Sequence, residues 1–129
     1  MKINLTSVMV TDQQQALEFY TEKLGFIKNQ DVPMGEHRWL TVVSPEGAAG
    51  VELLLEPLGF APAKDFQRQL YEAGIPFASF ESADLDTEWQ TLKKQGVVFK
   101  GEPQEMGGVN MVVFDDTVGN LICLVEKTS

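Results

Sequence analysis

In the opening segment INLTSVMVTD the side chains alternate, so Leu5, Ser7 and Met9 share one face while Thr6, Val8 and Val10 share the other. That two-residue period predicts a strand. Asp12 follows as a helix N-cap, with Gln15 three residues on in a capping-box pattern. Ala16, Leu17, Phe19, Tyr20 and Leu24 form the apolar stripe of that helix, and Gly25 ends it. Three short strands are then predicted near 26–30, 38–44 and 50–56, with Ser44-Pro45-Glu46-Gly47 turning between the last two.

The same order recurs further on. A strand is predicted at 76–82, with Phe77, Ser79 and Glu81 on one face and Ala78 and Phe80 on the other. Asp84 caps a helix whose stripe is Leu85, Trp89 and Leu92, and Gly96 closes it. Strands near 97–100, 109–115 and 120–126 complete the set. Asp12 matches Asp84, Gly25 matches Gly96, and Met34-Gly35 matches Met106-Gly107. TVVSPEGAAGVELLLE lies without a gap on MVVFDDTVGNLICLVE. An internal duplication accounts for this: one domain over 1–129, with a module at 1–57, a linker helix within 58–74 and a second module at 75–129. The linker helix carries Phe66, Leu70 and Ala73 at helical spacing behind Pro62. The expected fold is α+β, two β-α-β-β-β modules whose curled mixed sheets surround a cavity.

Composition narrows the function classes. The 129 residues hold ten basic and nineteen acidic side chains, a net charge of −9. Such a field repels nucleic acid and anionic membranes, so neither is an expected partner. No apolar run approaches the ~18–20 residues of a membrane span, and the first dozen residues do not resemble a secretory leader. One cysteine, Cys123, cannot form an internal disulfide, which suits a cytoplasmic location. One histidine, His37, leaves no site built on several histidines of one chain.

The segments VMVTDQQQALEFYTEKLGF, SFESADLDTEWQTLKKQGV and VVFDDTVGNLICLVE, in this order around a repeat, resemble the vicinal-oxygen-chelate superfamily of glyoxalases, bleomycin-resistance proteins and dioxygenases. The resemblance covers nearly the whole chain. It implies two curled four-stranded units around a cavity, often with homodimerisation, and it leaves the chemistry open, because members range from lyases to metal-free drug binders. Metal-using members place ligands on the first and last strand of each half. Carried across, those positions fall on Leu5, on Phe77, on Cys123, and on either Glu52, from the family's Glu-Leu pair, or Leu53, from the gapless repeat. Leu5 and Phe77 offer no electron pair, so no resident cofactor is expected. A divalent metal would have only Glu52 and Cys123 to rely on.

The expected ligand site is therefore Leu5, Ser7, Met9, Arg38, Trp39, Phe77, Ser79 and Cys123, around a small and largely apolar or aromatic molecule. Arg38 or Trp39 must face inward; Arg38 pairs either with an anionic ligand or with a surface carboxylate, and Trp39 is either core or an aromatic wall. Cys123, between Ile122 and Leu124, reads as an apolar filler, and nothing local would activate its thiol. Glu52 and Glu81 are the catalytic candidates. Burial would raise the pKa of Glu52 toward that of a general base, whereas on a solvated strand face it is only a surface charge. The competing readings are thus a metal-free binding protein, a metal-dependent lyase of the lactoylglutathione kind, and an enzyme using Glu52 or Glu81 as base.

Overall fold

A computed structural model describes residues 1–128. Eight strands form two four-stranded sheets. The first contains β1 (Leu5–Val10), β2 (Ile27–Met34), β3 (His37–Val43) and β4 (Glu52–Pro57), in the spatial order β1-β4-β3-β2. The second contains β5 (Ala78–Glu81), β6 (Gln104–Met106), β7 (Val109–Asp115) and β8 (Leu121–Lys127), in the order β5-β8-β7-β6. In each, the first strand runs parallel to the last and the rest are antiparallel, so both sheets are mixed. Neither sheet closes on itself.

Helix α1 (Gln13–Glu18) crosses from β1 and continues as a π-helical turn, Phe19–Lys23. Asp12 caps it by accepting from the Gln15 amide at 2.9 Å. The expected return bond of a capping box does not form, because the Gln15 side chain donates to the Thr117 carbonyl and hydroxyl instead. Helix α2 (Ala61–Glu72) links the sheets and α3 (Leu85–Lys94) crosses the second, capped by Asp84.

One core joins the two halves. Val8, Val10, Leu40, Val42 and Leu55 of the first sheet meet Phe19 and Tyr20, and these meet Val112, Phe114, Ile122 and Leu124 of the second. Phe19 lies 6.2 Å from Phe114, and Tyr20 packs edge-on against Phe80 at 6.3 Å, both measured between ring centroids. The alternation read in INLTSVMVTD is borne out at Val8 and Val10, which are fully inside, while Leu5, Ser7 and Met9 face away from α1.

Beneath this core lies a polar hub. The buried Asp116 carboxylate accepts from the Tyr20 hydroxyl at 2.7 Å, the Val118 amide at 3.0 Å, and the Asn120 amide and side chain at 2.9 and 2.8 Å. Asn120 also donates to the Met9 carbonyl, as does Gln67 of α2. The β7–β8 turn of one module is thereby fastened to β1 of the other and to the linking helix. Burial pushes the Asp116 carboxyl above its ordinary pKa, against the pull of its donors.

Four expectations need correction. The strand expected at 97–100 is only an isolated bridge, Phe99 to Phe114; the ladder forms later, at β6. Gly101, at φ +123°, and Pro103, which has no N–H, interrupt the edge between them. In the first module the same edge is one strand that runs on to Met34, with a bulge between Lys28 and Gln30. On α2 the buried positions are Ala63 and Gln67, not the predicted stripe; Phe66 is half exposed, and Ala73 lies past the helix end.

The gapless alignment of the repeats also fails. Ser7 pairs with Leu54 and Ser79 with Cys123, so the equivalent of Cys123 is Leu54, neither Glu52 nor Leu53. The β3–β4 connection, 44–51, is longer than the β7–β8 connection, 116–120, and the difference shifts the register of the last strand.

Candidate functional site

Register decides which side chains share the face of the first sheet turned away from α1. Leu5 lies beside Glu52, Ser7 beside Leu54, and Met9 beside Glu56. Thr41 opposes Leu54, and Gln30 opposes Thr41. Alternation then places Trp39 on this face and sends Leu53 and Leu55 to the core. Glu52 and Glu56 therefore stand on the open face, on a strand whose other face is apolar.

At one end of this face Met9, Trp39, Leu54 and Glu56 form a cleft of about 450 Å³. Met34 and His37 wall it from the β2–β3 hairpin, and Phe60 and Ala63 from the start of α2. Apart from Glu56, His37 and Arg38 the cleft surface is aromatic, aliphatic and thioether, which suits a flat apolar body. Sequence reasoning had placed Met9 and Trp39 here; it missed Met34, Leu54 and Phe60. The last of these arrives only because α2 folds back onto the sheet, which no local pattern announces.

Arg38 borders the same cleft, but its guanidinium is committed on the α1 side. Nε and Nη2 donate to the two oxygens of Asp31 at 3.0 and 2.8 Å, and Nη1 donates to Gln14 at 2.8 Å. Its backbone is held too, N–H to Gln13 Oε1 and C=O from Gln13 Nε2. The Arg38 guanidinium lowers the Asp31 pKa to about 2, the mark of a well-formed bidentate pair. Of the two options read in sequence, Trp39 faces the cleft and Arg38 forms a structural ion pair.

Glu52 sits further along the face. Its carboxylate accepts from Thr41 Oγ1 at 2.7 Å, Gln30 Nε2 at 2.9 Å and Asn29 Nδ2 at 2.5 Å. Those donors hold its pKa below the ordinary value, the reverse of the expected rise. A carboxylate so satisfied is a weak base. Glu52 and Ser79 both border a smaller cavity of about 270 Å³ between the sheets, with Thr6, Phe26 and Phe80.

The remaining predicted residues lie on or beside the second sheet. Phe77 packs edge-on against Phe66 of α2, with centroids 6.4 Å apart. Cys123 is buried beside Ser79, and burial pushes its thiol pKa up, which disfavours the thiolate. Glu81 is exposed and pairs with Lys127 at 3.6 Å. The predicted set is thus divided: Met9, Trp39 and Arg38 border one cleft, Ser79 and Glu52 another, and Phe77 and Cys123 lie at the second sheet.

Residues 2–124 match the model of the Glyoxalase/Bleomycin resistance protein/Dioxygenase superfamily. The chain belongs to this superfamily. Among its relatives, the uncharacterized protein YurT of Bacillus subtilis (strain 168) is 54% identical, over 98% of this chain and 100% of that protein. Among solved structures, UcmS2 is similar with a TM-score of 0.82 and 30% identity, covering 100% of this chain and 98% of that one. TnmS3, an antibiotic binding protein from Streptomyces sp. CB03234, is similar with a TM-score of 0.74 and 28% identity, over 98% of this chain and 96% of that one.

Membership raises the question of a metal, which the donor set answers poorly. Among the described residues no three His, Cys, Asp or Glu side chains gather where one ion could be held. Glu52 has Leu5 as its strand neighbour, and Cys123 lies on the other sheet beside Ser79. Divalent transition ions need three or four fixed nitrogen, oxygen or sulfur ligands. The residues of this superfamily member do not supply them.

Proposed function

We propose that this chain binds a small, largely apolar or aromatic molecule in the cleft around Trp39, without a full set of metal ligands. The observation that carries the reading is the cleft itself. Its volume of about 450 Å³ falls in the range of small-molecule sites, and its wall combines Trp39, Phe60, Met9, Met34 and Leu54. Similarity to TnmS3, an antibiotic binding protein, supports the same direction. A base-catalysed reading through Glu52 is less well supported, because three donors hold that carboxyl low.

Calorimetric titration with naphthalen-2-ylmethanol, a neutral bicyclic probe, tests the proposal. Trp39→Ala should weaken binding at least about tenfold, since it removes most of one aromatic wall. Equal affinity in the variant would place the probe elsewhere.

The same reading includes a homodimer. The β2 edge pairs only with β3 and exposes Ile27, Val32 and Met34, a strand edge of the kind that proteins cover. Sedimentation velocity at micromolar concentration should give a dimer; a monomer at every concentration would remove this part.

A further inference from the structure

The charges around the Trp39 cleft do not cancel. Three lining residues carry ionisable groups: Arg38, His37 and Glu56. The Arg38 guanidinium is neutralised by Asp31 and fixed by Gln14, turned to the α1 side. His37 makes no ion pair and no side-chain hydrogen bond among the described residues; its Nε2 lies against Gly59. Glu56, half-buried between Met9 and the Trp39 strand, likewise has neither. Its counterpart four residues earlier on the same face, Glu52, is satisfied by three side-chain donors. The contrast is informative, because one strand presents one carboxylate locked by the fold and one left to solvent at the floor of a cleft. The corresponding position in the second module is Val125, beside Glu81, so the carboxylate is not a requirement of the architecture.

We propose that Glu56 recognises a positively charged group, and that the ligand of this cleft is an aromatic or apolar body carrying a protonated amine. This rests on the binding reading given above and narrows its ligand class. Three features act together. Glu56 is the one carboxylate on the wall, and the one guanidinium there is already matched by Asp31. The faces of Trp39 and Phe60 attract a cation placed over them, and the sulfurs of Met9 and Met34 accommodate it softly. The net charge of −9 sets a background potential that draws cations and repels anions. An anionic ligand would meet Glu56 with no unpaired Lys or Arg among the described lining residues, since the lining guanidinium already serves Asp31.

Three probes of one shape separate the ligand class from the site. Naphthalen-2-ylmethylammonium, naphthalen-2-ylmethanol and 2-naphthoate should be titrated calorimetrically into the wild-type protein and Glu56→Gln. The ammonium should bind about tenfold more tightly than the alcohol to the wild type, and 2-naphthoate most weakly. In Glu56→Gln the preference should vanish, with the ammonium and the alcohol binding about equally. A melting temperature of Glu56→Gln close to that of the wild type shows that the variant is folded. If the ammonium and alcohol bind the wild type equally, or the preference survives in Glu56→Gln, the charge assignment is wrong while the cleft reading stands. If none of the three binds, the cleft reading fails and the charge assignment fails with it.

Discussion

Asp116→Ala is expected to destabilise the fold by about 3–5 kcal/mol, the range for breaking a buried hydrogen-bonded charge. The carboxylate is inaccessible to solvent and accepts four hydrogen bonds, from Tyr20, Val118 and both nitrogens of Asn120. Alanine leaves the Tyr20 hydroxyl and the turn amides facing a hole. Each stranded donor costs about 1–3 kcal/mol, and relief of the buried charge offsets only part. Because Asn120 and Gln67 tie this turn to Met9, damage there loosens the junction between modules as well as one hairpin. For a domain of this size the melting temperature should fall by roughly 10–20 °C. Tyr20→Phe removes one of the four bonds and should cost only about 1–2 kcal/mol. A melting temperature for Asp116→Ala within a few degrees of wild type would show that the hub is not structural.

Gly119→Ala should be nearly as damaging, at about 2–4 kcal/mol, by a different route. Residue 119 has φ +102°, where a side chain is strained whatever the space around it. A Cβ there would also stand 2.6 Å from Gln67 Oε1 and 2.7 Å from its Cδ and Nε2. A glutamine terminus can normally swing aside. This one is buried and donates to Met9, Val118 and Asn120, so moving it undoes the fastening of α2. Chemical denaturation read by tryptophan fluorescence checks the figure. The double change Gly119→Ala with Gln67→Ala should recover the clash but not the backbone strain, and so should remain less stable than Gln67→Ala alone.

Much of this architecture was legible in the sequence, for a physical reason. Val8 and Val10 alternate with Ser7 and Met9 because one face of an edge strand is buried and the other is not, and Asp12 and Asp84 sit where orphan helix amides need an acceptor. The segment GVELLLEP lacked such contrast, since leucines occur on both of its faces. Only the pairing of Leu5 with Glu52 turns Glu52 and Glu56 to the open side. The repeat misled for a related reason: a one-residue slip of a uniformly apolar strand changes little in the pattern but exchanges its faces. Gln67 was illegible outright. It is a polar residue at a buried helix position, and its partners lie in β1 and in the β7–β8 turn, far along the chain. Of the candidate site, Met9 and Trp39 were named from the sequence, with the choice between Arg38 and Trp39 as the inward residue left open, whereas Phe60 and the commitment of Arg38 to Asp31 depend on tertiary contacts.

The central claim is that the open face of the first sheet, at Trp39, is where a small molecule binds. Amide and indole chemical-shift mapping during titration with naphthalen-2-ylmethanol tests it most directly. The expected result is that the Trp39 indole N–H and the amides of Leu54, Gly59 and Phe60 shift together and saturably. The Trp89 indole, on α3, and the Cys123 amide, on the second sheet, should stay where they are. Shifts centred on Ser79 and Cys123, with Trp39 unmoved, would contradict the account and move the site to the other sheet.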